Sequence, residues 1–175
     1  MNVIKVNENI SLSRVTTSDC DAMVEYLTEK AIFDTTLNIP YPYTMKDAEF
    51  IVDYFKNLEL KHNRLTNWGI RNVEQKLIGV IGFQSGIKSH KAEIGYWLAK
   101  SYWGKGIMTE VVEKVCQFAF QHFGLIRITA TVFEKNIASA KVLEKCNFVL
   151  EGVCLKNYYI KEGKVLNAKL YALTK

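Results

Sequence analysis

Apolar and polar residues alternate in several short stretches of the chain, while in other stretches apolar residues recur every three or four positions. Strict alternation is typical of a half-buried strand, and the wider spacing is typical of a helix with one buried face. By this criterion, and from a few short apolar runs, the sequence predicts seven strands: 10–15, 67–73, 77–84, 91–99, 127–133, 148–155 and 164–173.

Four helices are predicted between these strands. The first two begin near Ser18 and Thr44, where an acidic residue follows in the first turn and completes a capping motif. The third follows Gly106, and the fourth runs from about Ser139 to Cys146. Strands and helices are interspersed without a strict βαβ repeat, so the pattern favours an α/β or α+β fold around one central sheet. No Gly/Ser linker or internal repeat interrupts it, and we expect a single domain over residues 1–175.

Composition narrows the class of protein. The chain has 175 residues, of which 49% are apolar and 23% charged, and a net charge of +5. That excess suits an anionic small ligand but is too small to indicate direct nucleic-acid binding. No apolar run approaches the roughly 18 residues of a membrane span, and residues 1–8 lack the apolar stretch of a signal peptide. The four cysteines show no metal-binding spacing, so we expect a reduced, cytoplasmic protein without a metal.

The most informative segment is a strand, a Gly104-Lys105-Gly106 turn and a helix start. Such a turn presents backbone N–H groups at the positive end of a helix dipole, which suits a pyrophosphate. On spacing alone, a simple tight turn explains the glycines equally well. The P-loop pattern is absent, and Thr109 stands where a dinucleotide fingerprint needs its third glycine.

The segment 101–110 also resembles the acetyl-CoA-binding motif (Q/R)-x-x-G-x-(G/A) of the GCN5-related N-acetyltransferase (GNAT) superfamily, most of all its RimJ/RimL branch. The segment 39–48 and the pattern N-x-x-S … E-K-x-x-F … E-G over 136–152 resemble the same branch. Ser101 departs from the family's Gln/Arg. Asn147 replaces its glycine before the phenylalanine, and we expect the helix end to survive because asparagine tolerates a left-handed conformation.

The resemblance implies a GNAT fold, with a mixed, mostly antiparallel sheet of about seven strands and about four helices. The sheet would splay between the fourth and fifth predicted strands, with acetyl-CoA in the gap. The backbone of Trp97 and Leu98 would pair with the pantetheine, and Asn136 would also lie at the cofactor. The pyrophosphate would be held by the turn and the following helix start: Trp103, Gly104, Lys105, Gly106, Ile107, Met108 and Thr109.

The implied reaction is direct attack of an amine on the thioester. Many family members protonate the leaving thiolate with a tyrosine seven residues after the asparagine, a position held here by Leu143. The candidate acid is therefore Ser139, with Asn136 beside it among the catalytic residues. A purely structural interpretation, in which Asn136 caps a helix and Ser139 sits in its first turn, is the alternative.

The general base is harder to identify. Glu93, on the strand that precedes the turn, is a candidate acting through a water, unless it is only a solvated strand residue. The branch's usual glutamate position is Tyr158 here. We expect Tyr158 and Tyr41 to contact the acceptor, with Tyr158 and Tyr159 lining its pocket.

The resemblance implies an acceptor that is a peptide or protein N-terminal α-amine, with a ribosomal-protein N-terminus as partner. An α-amino group has a pKa near 8 and so needs only a weak base. A polyamine, an aminoglycoside or another small amine is the alternative acceptor, and a non-catalytic CoA-binding sensor is the alternative outside enzymes. A homodimer is left open.

Overall fold

The computed structural model describes residues 3–83 and 86–175. Eight strands are described: β1 (Ile4–Lys5), β2 (Ser11–Ser13), β3 (Asn67–Arg71), β4 (Leu77–Phe83), β5 (Lys91–Leu98), β6 (Arg127–Phe133), β7 (Val149–Lys161) and β8 (Lys164–Thr174). Five α-helices are described: α1 (Cys20–Leu27), α2 (Lys30–Thr35), α3 (Met45–His62), α4 (Ile107–His122) and α5 (Ile137–Lys145). None of these described helices is both long and apolar enough to cross a bilayer.

The strands form one sheet in the order β1-β2-β3-β4-β5-β6-β8-β7. Only β5 and β6 pair in parallel, and every other neighbouring pair is antiparallel. The predicted mixed, mostly antiparallel sheet is therefore confirmed. The expected counts of about seven strands and four helices are corrected to eight and five within the described residues, because β1 and α2 are too short to show a periodic pattern.

The sheet opens between β5 and β6, which are the fourth and fifth of the predicted strands. These strands pair only from Lys91 to Glu93, opposite Arg127 to Thr129. Beyond Glu93 they separate, whereas β5 stays paired with β4 as far as Leu98. The edge of β5 from Ile94 to Leu98 therefore faces a gap.

The sheet separates two hydrophobic cores. One lies on the face covered by α4 and α5, and receives Ile94, Leu98 and the partly buried Tyr96 from β5. The other lies under α1 and α3, and Trp97 packs against it. Since successive side chains of a strand point to opposite faces, β5 directs alternate residues into the two halves of the molecule.

Two helix ends position the site as the sequence predicts. Thr44 and Asp47 form a reciprocal capping box at the start of α3, in which the Thr44 N–H donates to Asp47 Oδ2 at 2.8 Å. After α5, Asn147 has φ 62°, so the expected left-handed asparagine is confirmed. That turn sends the chain back along the sheet as β7.

Candidate active site

A cavity of about 940 Å³ occupies the gap between β5 and β6 and continues to the α1–α3 face of the sheet. Its volume falls in the range of small-molecule sites. Three parts of the chain meet around it: the open edge of β5, the starts of α4 and α5, and the segment that joins α2 to α3.

The turn before α4 forms a cradle of main chain. Gly104 and Gly106 have φ of 73° and 77°, and a Cβ added to either would meet nothing within 4 Å. Gly106 is the N-cap of α4 and has no side chain that could cap the helix, and the first N–H groups of a helix lack intrahelical acceptors. The open space beside these N–H groups fits an anionic group such as a phosphate. The predicted cofactor residues of this segment that line the cavity are Trp103, Gly104, Gly106, Ile107, Met108 and Thr109.

The edge of β5 offers the main-chain groups of Tyr96 and Leu98 to the gap. The Ala99 N–H donates to the Ile78 carbonyl of β4 at 2.8 Å. Because hydrogen-bonded residues alternate along an antiparallel pair of strands, the N–H and carbonyl of Trp97, two residues earlier, also point to β4. The Trp97 carbonyl indeed lies against Gly79. The expectation that Trp97 offers its backbone to the gap is corrected to Tyr96, although the Trp97 side chain does line the cavity.

The indole of Trp103 fixes the cradle to this strand. Its Nε1–H donates to the Leu98 carbonyl at 2.7 Å. The end of β5 and the cradle are thereby held in one arrangement.

At the start of α5, Asn136 and Ser139 are joined as the structural alternative predicts. The Asn136 amide oxygen accepts from the Ser139 N–H at 3.1 Å, and its Nδ2 donates to the Thr35 carbonyl at the end of α2, at 3.3 Å. Both residues line the cavity. Asn136 is therefore a helix cap that also fastens α5 to α2.

The Tyr96 hydroxyl meets Ser139 across the gap. Its oxygen lies 2.9 Å from Ser139 Oγ and 3.5 Å from the Ser139 carbonyl oxygen. Burial raises the pKa of Tyr96 above its usual value, so the phenol stays protonated at neutral pH. The neutral phenol of Tyr96 on β5 thus holds the Ser139 hydroxyl of α5 in the gap.

Comparison with known proteins decides the family. A family model described as an acetyltransferase (GNAT) domain matches residues 9–149. The chain belongs to the GNAT acetyltransferase family. It is 38% identical over 117 residues to the uncharacterized N-acetyltransferase YoaA of Bacillus subtilis. The aligned residues make up 66% of each chain.

One further relative carries the RimJ/RimL resemblance, and one solved structure supports the fold. The ribosomal-protein-serine acetyltransferase of Escherichia coli is 28% identical over 172 residues, covering 97% of this chain and 94% of that one. The solved structure of RimL, a ribosomal L7/L12 α-N-protein acetyltransferase in complex with coenzyme A, superposes with a TM-score of 0.87. That match covers 99% of this chain and 98% of RimL at 22% identity, and so supports the fold.

Two lysines of α5 bring positive charge to the cavity of this acetyltransferase. Lys141 and Lys145 lie one turn apart, and both line the cavity. Lys105 lies outside the lining, with its ammonium 5.3 Å from the ring centroid of Tyr102. Among the described residues, no cluster of three or more His, Cys, Asp or Glu side chains could hold a metal ion.

The remaining predicted residues lie near the cavity without lining it. Glu93 is the last residue of β5 that pairs with β6. Burial and, to a lesser extent, the charge of Glu93 raise the pKa of the Tyr159 phenol on β7. Tyr159 lines the cavity, while Tyr158, the next residue along the strand, is 51% exposed. Tyr41 is 45% exposed, with its ring 5.3 Å from that of Phe33.

The wall opposite the cradle is held by polar contacts to the end of α2. The Lys161 ammonium donates to the carbonyls of Phe33 and Thr36, and lies 3.6 Å from the centroid of the Phe33 ring. The segment 35–40 that follows lines the cavity. This wall is therefore fixed by β7 and, through Asn136, by α5.

Sequence reasoning missed Tyr96 and the two α5 lysines. One signal was available for Tyr96. It alternates with Ile94 and Leu98 on a buried face, and a buried phenol usually has a hydrogen-bond partner. No local signal indicates which partner, since Ser139 lies 43 residues away.

Proposed function

We propose that this acetyltransferase uses acetyl-CoA to acetylate the α-amino group of a peptide or protein N-terminus. A ribosomal protein is the acceptor that the name of the Escherichia coli relative suggests. One observation carries the proposal: Ser139 is held between Asn136 and Tyr96 at the point where β5 and β6 separate. A hydroxyl in that place can protonate a leaving group bound in the gap.

The residues present fit acetyl-CoA. The cradle at Gly104 and Gly106 is open and offers N–H groups for a pyrophosphate, with Lys141 and Lys145 supplying charge nearby. The open edge of β5 suits the amides of a pantetheine arm. Acetyl-CoA supplies the acetyl group as an activated thioester.

In the proposed reaction, the neutral amine attacks the acetyl carbon and forms the new C–N bond. The C–S bond breaks, and sulfur leaves with the electron pair. Ser139 donates its proton to that sulfur and is reprotonated from water, while the nitrogen loses a proton through a water to a base. A positioned acid of this kind typically contributes about 10²–10⁴-fold to the rate.

Tyr96 acts as a positioning residue in this proposal. A phenol has one proton to donate, and the two acceptors that the structure places within reach of it both belong to Ser139. When Tyr96 donates to Ser139, the serine's own proton is free to point into the cavity.

Glu93 is the proposed base, acting through a water. It shares the α1–α3 face of β5 with Trp97 and lies where the strands part. A base that is not in direct contact with the amine favours an acceptor that is already partly neutral near pH 7, as an α-amino group is.

The charge of the cavity supports a peptide N-terminus over a polycation. Asp47 is the one carboxylate among the described residues that line the cavity, and its Oδ2 already accepts from the Thr44 N–H and hydroxyl. A polyamine or aminoglycoside carries several charges that would enter without partners, at a large desolvation cost.

The proposal is tested with three acceptors and mass spectrometry. They are a peptide with a free N-terminus, the same peptide with its N-terminus blocked and one lysine present, and spermidine. We expect the free N-terminus to be acetylated fastest, with kcat/KM rising with pH and levelling near the pKa of the amine, about 8. Faster acetylation of the blocked peptide or of spermidine would overturn the proposal.

A further inference from the structure

The acceptor wall of the cavity exposes large apolar side chains. Phe50 of α3 lines it and is 71% exposed, and Tyr54, one turn later, also lines it. The same wall continues through Ile51, Phe55 and Ile39. Large apolar groups left open at a cavity mouth are costly to solvate and mark binding surfaces.

These side chains lie on the opposite side of the sheet from the cofactor cradle. Ile51, Phe55 and Ile39 pack against the core under α1 and α3, on the face to which Trp97 points. The cradle and the start of α5 belong to the other face. A pantetheine along the edge of β5 would therefore leave this apolar surface uncovered, and the second substrate must cover it.

Among the described residues that line this wall, Asp47 of the α3 capping box is the one that carries a charge. An acceptor with a small polar first residue, such as serine, would gain little from such a surface. An acceptor with a large aliphatic or aromatic first residue would bury that side chain against Phe50 and its neighbours.

Resting on the proposed function, we infer that the preferred acceptor is a peptide N-terminus whose first residue is large and apolar, such as leucine, methionine or phenylalanine. The amine lies toward Ser139, and the first side chain lies on the wall formed by Phe50, Ile51, Tyr54, Phe55 and Ile39. Burial of one such side chain corresponds to a preference of roughly tenfold or more.

The test uses the full chain, acetyl-CoA and peptides that differ only in the first residue: serine, alanine, leucine or phenylalanine. We expect kcat/KM for the leucine and phenylalanine peptides to exceed that for serine at least tenfold. A serine or alanine peptide that equals or exceeds them would overturn this inference while leaving the proposed function standing. If no N-terminus reacts but spermidine does, the proposed function fails, and this inference fails with it.

Variants of α3 assign the preference to the wall. Phe50→Ala should raise KM for the leucine peptide several-fold and reduce its advantage over serine, with KM for acetyl-CoA unchanged. Phe50→Leu should retain most of the preference. Leu60→Ala is the matched control, since Leu60 lies on the same helix, is 72% exposed and is not part of the wall. An unchanged leucine-to-serine ratio in Phe50→Ala, or an equal loss in Leu60→Ala, would contradict the assignment.

Discussion

The two halves of the cavity are built from different parts of the polypeptide. The half that we propose for the cofactor consists largely of main chain: two glycines with positive φ, the start of α4 and the edge of β5. The half that we propose for the acceptor consists of side chains that come from α3, β5, β7 and the segment after α2. A site made of main-chain groups constrains only a few residues, so it is marked in the sequence by a short motif. The selectivity of a wall made of side chains can change when those side chains are substituted.

Ser139 stands where the halves meet, and its removal should have the largest effect. Ser139→Ala is expected to lower kcat by about 10²–10⁴-fold while leaving the Kd for acetyl-CoA nearly unchanged, because only the developing thiolate needs the proton. Steady-state kinetics and calorimetry would measure the two quantities. A loss of less than threefold would make Ser139 a structural residue.

Tyr96→Phe provides the control for that result. The variant keeps the ring and removes the hydroxyl that orients Ser139, so a loss of roughly tenfold is expected in the wild-type background. Added to Ser139→Ala, it should cause no further loss, because its effect passes through the serine. Additive losses would contradict the positioning role.

The next effect concerns the main-chain half. Gly106→Ala should weaken acetyl-CoA binding by roughly tenfold or more, because the methyl group enters the open space beside the N–H groups. Alanine with positive φ also costs about 1–2 kcal/mol of stability. Calorimetry would give the Kd, and thermal unfolding would give the stability.

A variant of Gly163 distinguishes the loss of acetyl-CoA affinity from the loss of stability. Gly163 has φ 72° and open space around it, in the turn between β7 and β8, far from the cradle in the chain. Gly163→Ala should therefore lower Tm by a similar amount and leave acetyl-CoA affinity intact. Equal affinity in both variants would remove the phosphate cradle from the proposal.

The smallest effect concerns the side-chain half. Lys161→Met removes the ammonium that holds the Phe33 and Thr36 carbonyls, so the segment after α2 loses a fixed end. We expect KM for the acceptor to rise several-fold and KM for acetyl-CoA to stay constant. Lys164→Met, an exposed change of the same charge, is the control. A rise in KM for acetyl-CoA alone would mean that the two halves are not separable in this way.

This division also explains how far the sequence could be interpreted. Gly104, Gly106, Asn136 and Ser139 belong to contiguous motifs whose local geometry follows from the motif itself. Tyr159 was not distinguished from Tyr158, because choosing between neighbours in a strand requires its register against β8. Register is a property of the folded sheet.

The acceptor wall was harder still to predict. The spacing of apolar residues along α3 does not distinguish Phe50 from its neighbours. Only the folded structure shows that Phe50 borders a cavity. α2 was missed because its six residues carry no amphipathic repeat, and its N-cap is Glu29, whose side chain accepts from the Ala31 N–H. Such short elements are defined by tertiary contacts rather than by propensity.

The attachment of α2 has a consequence for local unfolding. A helix of six residues does not persist by itself in water. Its carbonyl end is bonded to Lys161 of β7 and to Asn136, the cap of α5. Opening α2 therefore breaks contacts of both elements, and the amides of α2 and of the first turn of α5 should exchange with solvent as one cooperative unit, ahead of the central strands. Opening α2 therefore also removes the Thr35 carbonyl that orients the Asn136 amide, and we expect the cap on Ser139 to weaken in the opened molecule.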